Sequence, residues 1–245
     1  IAPGSIYTYS GEAFIWLQLV VETIMGMGLG SVMRAKLFDP AGMSHSSFGW
    51  DEGIAKSAVF GHSEPPEGEQ VLPPQPTREL GDRLLRVAKR RGKPIATWTY
   101  EDSVAAMRES DPKTPPSTHD LLVNSAGGLL MTASDYATFM ALMMDRPARA
   151  VWEISDTARR AMLTPRLDVR GRDISRGLGW ELEQSPASLL FQHSGSNYGI
   201  FKTMGVGDPR NGLSLVAFTN AVNGNALAAR ILRTATGIDR LKSLI

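Results

Sequence analysis

Three short apolar runs near the C-terminal end constrain the fold of this chain most. They cover residues 188–191, 200–206 and 213–219, and Gly, Pro, Asn and Asp residues separate them. Apolar runs of this length between turn-forming residues are typical of buried strands that are joined by hairpins. The sequence therefore predicts an antiparallel sheet in this region.

A polar segment from Phe191 to Gly199 lies between the first two runs and reads Phe-Gln-His-Ser-Gly-Ser-Asn-Tyr-Gly. We expect it to lie at the end of one strand or along it. A histidine beside two serines on a glycine-rich stretch suggests a serine hydrolase. A strand end followed by a turn is equally compatible, because Ser, Asn and Gly favour turns through local hydrogen bonds. These nine residues alone leave both interpretations open.

Composition excludes several other classes of protein. The 245 residues carry a net charge of +1 and no cysteine, which argues against a nucleic-acid partner and excludes disulfides and thiolate zinc sites. The four histidines lack the spacing of metal ligands, so we predict no metal and no cofactor. No run of eighteen apolar residues is present, so we predict no transmembrane segment. The cellular compartment stays open.

The remainder of the chain alternates predicted helices with one unusual region. Apolar residues at helical spacing predict an amphipathic helix from Gly11 onward that ends near Gly26 and Gly28. A second short helix is expected over 30–38, closed by Asp39-Pro40. Further helices are expected over 78–90, after Thr132, over 155–163 and over 225–236. Residues 62–120 are polar and rich in proline, and we interpret them as an excursion from one domain covering 1–245, as a lid or binding loop. The predicted fold class is α/β of the α+β type, with helices flanking the antiparallel sheet.

Six short motifs, each weak alone, together resemble one family. They are Pro3-Gly4-x-x-Tyr7-x-Tyr9-Ser10-Gly11, Asp39-Pro40-Ala41-Gly42-Met43, Ala126-Gly127-Gly128-Leu129 with Thr132-Ala133-Ser134-Asp135-Tyr136, Gly177-Leu178-Gly179-Trp180, His193-Ser194-Gly195-Ser196 and Phe218-Thr219-Asn220. In this order they resemble the class C branch of the serine β-lactamase superfamily. That branch includes D-alanyl-D-alanine carboxypeptidases, D-amino-acid peptidases and family VIII esterases. The resemblance runs from residue 3 to about 224, apart from the proline-rich region.

The resemblance implies acyl transfer through a serine nucleophile. In the family, the Ser of an S-x-x-K motif attacks a carbonyl, the Lys helps to remove its proton, and the Tyr of a Y-x-N motif shares the proton. A strand with K-T-G or H-x-G closes the site. By this resemblance Tyr9 is the motif tyrosine and His193 begins the third motif, while the backbone N–H of Ser196 belongs to the oxyanion hole. The resemblance places Gly11, Ser194, Gly195 and Asn197 in contact with substrate.

Two departures from the family pattern matter. Gly11 stands where the family has the Asn that contacts the substrate amide, which favours an esterase or another hydrolase. S-x-x-K is missing from its place before Tyr9, and its one literal match is Ser110-Asp111-Pro112-Lys113. We reject that match because Pro112 cannot lie inside the helix that must align Ser and Lys.

We therefore expect this chain to be the C-terminal portion of a serine hydrolase that forms an acyl-enzyme with an ester or an amide. Its substrate would be a small ester, a β-lactam or a D-amino-acid peptide. The nucleophile would lie on an N-terminal portion, without which a sheet edge and one face of the 14–24 helix are exposed and the chain is not soluble alone. The alternative is a non-catalytic binding module that keeps a degenerate β-lactamase fold.

Overall fold

A computed structural model describes residues 2, 4–64, 73–144, 155–169, 174–184, 188–238 and 241. Pro3 of the first motif and residues 65–72 of the proline-rich region lie outside the described residues. The chain divides into two compact units. The first contains Ile1–Thr8, Gly61–Pro73 and Ala133–Ile245, and the second contains Tyr9–Phe60 and Pro74–Thr132. The organisation as one domain with an excursion stays a prediction.

A six-stranded antiparallel sheet forms the centre of the first unit. Its strands are β1 (Leu167–Asp168), β2 (Ile174–Arg176), β3 (Glu181–Gln184), β4 (Leu189–Asn197), β5 (Phe201–Asp208) and β6 (Leu213–Thr219), and they lie side by side in chain order. The three apolar runs are β4, β5 and β6, which confirms the predicted strands and their antiparallel pairing. The polar segment runs along β4, where His193 lies opposite Gly205 of β5.

Helices cover both faces of this sheet. They are α7 (Ala133–Leu142), α8 (Asp156–Met162) and α9 (Gly224–Thr236). Successive side chains of a strand point to opposite faces, and neighbours on β4 show this. Leu190 packs with Leu232 of α9, whereas Phe191 packs with Met140 of α7. The predicted antiparallel sheet flanked by helices is therefore confirmed.

The described part of the second unit is mainly helical. It contains α1 (Gly11–Met25), α2 (Leu29–Met33), α3 (Asp39–Ala41), α4 (Glu52–Ser57), α5 (Pro76–Arg91) and α6 (Tyr100–Ser110), with 3₁₀ turns at Ile95–Thr97 and Thr118–Asp120. Trp98 is completely buried, and the backbone of Gly28 packs directly on it. A Cβ at Gly28 would lie 2.2 Å from the Trp98 carbonyl oxygen. Much of the predicted excursion is thus helical and belongs to this unit.

The helix predicted over 30–38 does not end at Asp39-Pro40. It begins at Leu29, passes through a π-helical turn at Arg34–Phe38 and continues to Ala41. Pro40 has no N–H to donate within the helix, and only one helical residue, Ala41, follows it. The helix ends instead at Gly42, whose φ of 70° is the left-handed conformation that commonly terminates helices.

Helix α1 buries two polar residues and exposes several apolar ones. Its buried side chains are Ile15, Gln18 and Glu22. On its other side lies an exposed apolar stripe, which we define as Phe14, Trp16, Leu17, Val20 and Ile24, with exposed fractions from 45% for Phe14 to 76% for Ile24. An apolar patch of this kind usually marks a surface that another segment covers.

Within the described residues, no single helix combines the length and apolar character needed to cross a membrane. The pair formed by α1 and residues Leu29–Ala41 meets the criterion by length and composition, but it is bent by 72°.

Candidate active site

The predicted site residues fall into two groups, one in each unit. His193, Ser194, Gly195, Ser196 and Asn197 lie on β4 of the first unit. Tyr9 and Gly11 lie at the start of α1 in the second unit.

The second half of β4 is paired on one side only. In the described sheet, β3 pairs with residues 189–192 of β4 and goes no further, whereas β5 pairs with 191–197. His193 to Asn197 therefore extend beyond β3 and are exposed to solvent. A strand edge of this kind can bind an extended backbone through main-chain hydrogen bonds.

A tight turn before β3 determines where this open edge begins. Gly177–Trp180 connects β2 to β3, and the N–H of Gly177 donates to the carbonyl of Trp180 at 2.9 Å. Gly179 has a φ of 80°, which a residue with a side chain rarely adopts. Because residues 177–180 form this turn, β3 begins only at Glu181, opposite Gln192. The Gly-Leu-Gly-Trp motif therefore forms a turn at the position where β3 would otherwise pair with residues 193–197 of β4.

A buried row of polar side chains crosses the sheet next to this edge. The carboxylate of Glu181, 5% exposed, accepts a hydrogen bond from the Gln192 amide. Its other oxygen lies 2.5 Å from the Arg176 guanidinium. That guanidinium lies 4.5 Å from the centre of the Tyr7 ring, in the geometry of a cation–π contact. The row therefore gives Glu181 two donors and holds a positive charge close to His193.

The His193 imidazole has an environment that favours its neutral form. Surrounding atoms partly desolvate the ring, and this is the main reason why its pKa lies below the ordinary value. The positive charge of Arg176 lowers the pKa further, whereas a hydrogen bond to the Ser194 backbone and the charge of Glu181 oppose the shift. Since the ring keeps an exposed face, it is suited to accept a proton near neutral pH.

Ser196 contacts a lysine on the neighbouring strand. The Nζ of Lys202 donates to the Oγ of Ser196 at 2.8 Å, and the two residues are directly paired across β4 and β5. An ammonium group that donates to a hydroxyl holds that oxygen as an acceptor. This contact therefore fixes the serine side chain at the open edge and places a cation beside it.

The second group surrounds the N-terminus of α1. The Oγ of Ser10 accepts a hydrogen bond from the Ala13 N–H at 3.2 Å, so Ser10 is the N-cap of α1. Tyr9 precedes this cap with 73% of its surface exposed. Gly11 is the first helical residue and carries no side chain that could contact a substrate amide.

The literal S-x-x-K match does not have the geometry of a nucleophile motif. Ser110 is the last residue of α6, and Asp111 is its C-cap. The Lys113 N–H donates to the Asp111 side chain at 3.2 Å in the turn that follows. Since no helix continues from Ser110 to Lys113, the rejection of this match is confirmed.

Sequence analysis missed Arg176, Glu181 and Lys202. They lie on different strands, and strand register brings them to the site. Glu181 directly follows the Gly-Leu-Gly-Trp motif, so its position beside that motif could have identified it as a candidate site residue. Within the described residues, no group of three His, Asp or Glu side chains could hold a metal ion.

Solved structures with the same fold are numerous, and three illustrate the similarity. The octameric penicillin-binding protein homologue from Pyrococcus abyssi superimposes with a TM-score of 0.62 at 16% identity, covering 94% of this chain and 44% of that one. The β-lactamase/D-alanine carboxypeptidase from Pseudomonas syringae gives 0.62 at 16% identity, covering 96% and 61%. The D-amino acid amidase from Ochrobactrum anthropi SV3 gives 0.61 at 16% identity, covering 97% and 59%. At such identities the similarity shows the fold alone, which is that of the serine β-lactamase superfamily.

The family itself follows from the sequence. The family model described as "Beta-lactamase" matches residues 1–237. The chain therefore belongs to the β-lactamase family, as the six motifs predicted. No curated protein matches it in sequence. The chain spans between 44% and 61% of the length of the three solved structures.

Proposed function

We propose that this chain forms part of a serine hydrolase that cleaves an ester or amide through an acyl-enzyme. The observation that carries the proposal is the open half of β4, which bears His193 and Ser196 and is paired only with β5 in the described sheet. In this proposal the Ser196 N–H stabilises the oxyanion, a contribution worth roughly 3–4 kcal/mol for one donor. His193 and Tyr9 carry protons. Ser194, Gly195 and Asn197 contact the substrate.

The substrate class that we favour is an ester. Gly11 removes the side-chain amide that would contact a substrate amide, so recognition of a peptide or β-lactam loses one hydrogen-bonding partner. An ester lacks the N–H that such an asparagine would bind. D-amino-acid peptides and β-lactams are the other candidate substrates. In this proposal, parts of the protein other than residues 193–197 of β4 select the acyl group and the leaving group.

We also propose that the serine nucleophile and its lysine belong to an N-terminal portion of the same protein, outside residues 1–245. Two observations support this. The literal S-x-x-K match begins at the last residue of a helix, and the apolar stripe of α1 is exposed while Gln18 and Glu22 are buried. A complementary apolar segment would cover that stripe.

A fluorophosphonate probe tests the first proposal on the whole protein. We expect a covalent adduct on one serine, located by peptide mass spectrometry outside residues 1–245. Comparing p-nitrophenyl esters with nitrocefin then separates an esterase from a β-lactamase. No adduct and no turnover of either substrate would favour the non-catalytic binding module instead.

The stripe is tested by charge insertion. In the whole protein, Leu17→Glu should strongly lower the midpoint of thermal unfolding, because a covered apolar position would receive a charge. In the 245-residue chain expressed alone, the same change should increase solubility. Val59→Glu is the matched control, since Val59 is 63% exposed and lies outside the stripe. Equal effects of both variants in the whole protein would contradict a covered stripe.

A further inference from the structure

The turn that joins β4 to β5 holds a tyrosine in an unusual backbone conformation. It runs from Asn197 to Ile200 and is closed by the Ile200 N–H, which donates to the Asn197 carbonyl at 3.1 Å. Tyr198 has a φ of 53° and Gly199 has a φ of 69°. Among the described residues, Tyr198 is the only one with a side chain and a positive φ. Asn-Gly and Asp-Gly are the pairs that favour a turn with two positive φ angles, so the tyrosine adopts this conformation under strain.

Contacts from a neighbouring segment hold the hairpin in place. Ile200 and Phe201 pack against the backbone of Gly61, where an added Cβ would lie 2.5 Å from the Ile200 side chain and 3.1 Å from the Phe201 ring. The next residue, His62, donates its N–H to the Asn220 carbonyl at 2.6 Å, just after the end of β6. The turn is therefore anchored by its surroundings, which is the condition under which backbone strain persists.

The Tyr198 side chain makes no contact that would explain the strain. It is 57% exposed. Its hydroxyl makes no hydrogen bond, and its ring makes no aromatic contact, with another residue that the structure describes. A strained residue whose side chain is directed to solvent points to a role in binding and not in folding.

Tyr198 directly continues the open half of β4, on which the proposed reaction depends. Strand residues rise by about 3.3 Å each, so Tyr198 lies roughly 7 Å along the chain from Ser196, whose N–H is the proposed oxyanion donor. An aromatic group close to the reacting carbonyl would therefore reach the Tyr198 ring. Two aromatic rings that stack or meet edge to face attract each other beyond the effect of the area that they bury.

We propose that Tyr198 is a substrate-binding residue, and that its exposed ring packs against an aromatic group in the acyl part or the alcohol part of an ester. This inference rests on the proposed hydrolase function and adds to it a preference for aromatic substrates. The strained turn keeps the ring exposed at the end of the open half of β4.

Hydrolysis of three esters by the whole protein tests this preference. Methyl phenylacetate carries a ring in its acyl part, benzyl acetate carries one in its alcohol part, and methyl acetate is the reference without a ring. Tyr198→Asn should raise KM for at least one aromatic ester by at least about threefold relative to KM for methyl acetate, because an aromatic pair is lost. The ester that is affected identifies the part of the substrate that Tyr198 contacts.

Two further variants and a stability measurement separate binding from folding. Tyr198→Phe keeps the ring and should keep the parent's ratio of KM values. Leu213→Asn is the matched control, because it removes an exposed apolar side chain at the start of β6 and should leave all three KM values unchanged. Tyr198→Asn should also raise the midpoint of urea unfolding, because asparagine adopts a positive φ more readily than tyrosine.

The outcomes distinguish this proposal from the hydrolase proposal. An unchanged ratio of KM values in Tyr198→Asn, with a normal rate of fluorophosphonate labelling, would overturn the role of Tyr198 alone. A lower unfolding midpoint in Tyr198→Asn would also overturn it, because the side chain would then stabilise the fold. A parent protein that is neither labelled nor active on any of the three esters would overturn the hydrolase proposal, and the role of Tyr198 with it.

Discussion

The Nζ of Lys202 lies 2.8 Å from the Oγ of Ser196, across a directly paired position of β4 and β5. The Ser196 side chain makes this contact, whereas the role proposed for Ser196 in catalysis belongs to its backbone N–H. A substitution that removes only the side chain therefore distinguishes the two. Ser196→Ala removes Oγ and keeps the N–H, so we expect the acylation rate to fall by less than about tenfold, within the contribution of one modest interaction. Stopped-flow acylation with a p-nitrophenyl ester measures this rate.

Lys202→Met is the companion variant, because it removes the donor and leaves the serine in place. A similar small effect is expected. If Ser196→Ala abolished labelling by a fluorophosphonate, the serine would be the nucleophile and the proposed role of its N–H would be wrong.

Tyr9→Phe should lower acyl transfer by roughly 10²–10⁴-fold, the usual contribution of a positioned proton carrier. Stability should change little, since the Tyr9 side chain is 73% exposed. Single-turnover kinetics and thermal unfolding measure the two effects. Tyr7→Phe is the matched control, because it also removes a phenol hydroxyl but keeps the ring beneath Arg176. Equal rates in the two variants would remove Tyr9 from the mechanism.

His193 should cause kcat/KM to fall at acidic pH, with a midpoint below the ordinary histidine pKa of about 6.5. Its pKa is lowered mainly by desolvation, so the ring stays neutral at pH 7 and becomes protonated only at lower pH. His193→Gln should remove this fall from the kcat/KM profile. The NMR titration of the ring should give a midpoint below the ordinary value, and a midpoint above it would contradict the assigned environment.

The same shift predicts how stability depends on pH. As the pH falls below about 6.5, the unfolded chain takes up the proton before the folded chain does. The contribution of His193 is therefore complete above the unfolded-state pKa and decreases as the pH falls toward the folded-state pKa. His193→Gln should lack this component when urea unfolding is compared across the range.

Glu22→Gln should lower the free energy of unfolding by about 1–3 kcal/mol, the cost of leaving a buried donor unpaired. The buried carboxylate accepts from the Leu29 N–H at 3.0 Å, from the Tyr100 N–H at 2.8 Å and from the Gln18 amide at 3.0 Å. It thus joins α1 to the first residues of α2 and α6, and an amide nitrogen would face one of these donors.

Urea unfolding measures this change, and Glu64→Gln is the exposed control, expected within about 0.5 kcal/mol of the parent. Faster amide exchange at Leu29 and Tyr100 should accompany the loss. An unchanged stability with unchanged exchange would show that the carboxylate does not stabilise these helix starts.

Much of the fold could be predicted from local pattern. Apolar runs between turn residues identified β4, β5 and β6, because a strand that is buried in a sheet must be apolar and must end where the chain turns. Helical spacing identified α1. The continuation of the second helix through Pro40 was missed, because the π-helical turn before it has no clear local signal.

The candidate site could also be predicted only in part from the sequence. His193, Ser196 and Tyr9 came from short motifs whose residue types are visible in the sequence, and their catalytic roles stay predictions. The partners of His193 and Ser196 could not be found in this way, since Arg176 and Lys202 reach them only through strand register. Register depends on pairing between distant segments, and no single segment contains that information.

The sequence by itself determined the family and the antiparallel sheet, because both depend on local residue pattern and motif order. Only the tertiary structure decided that β3 begins at Glu181 and leaves half of β4 open, and that α1 buries Glu22 while exposing Ile24. Helical periodicity shows that a helix has an apolar side but not which side the rest of the chain covers. That choice depends on buried hydrogen bonds such as those of Glu22, whose donors lie seven and seventy-eight residues away along the chain.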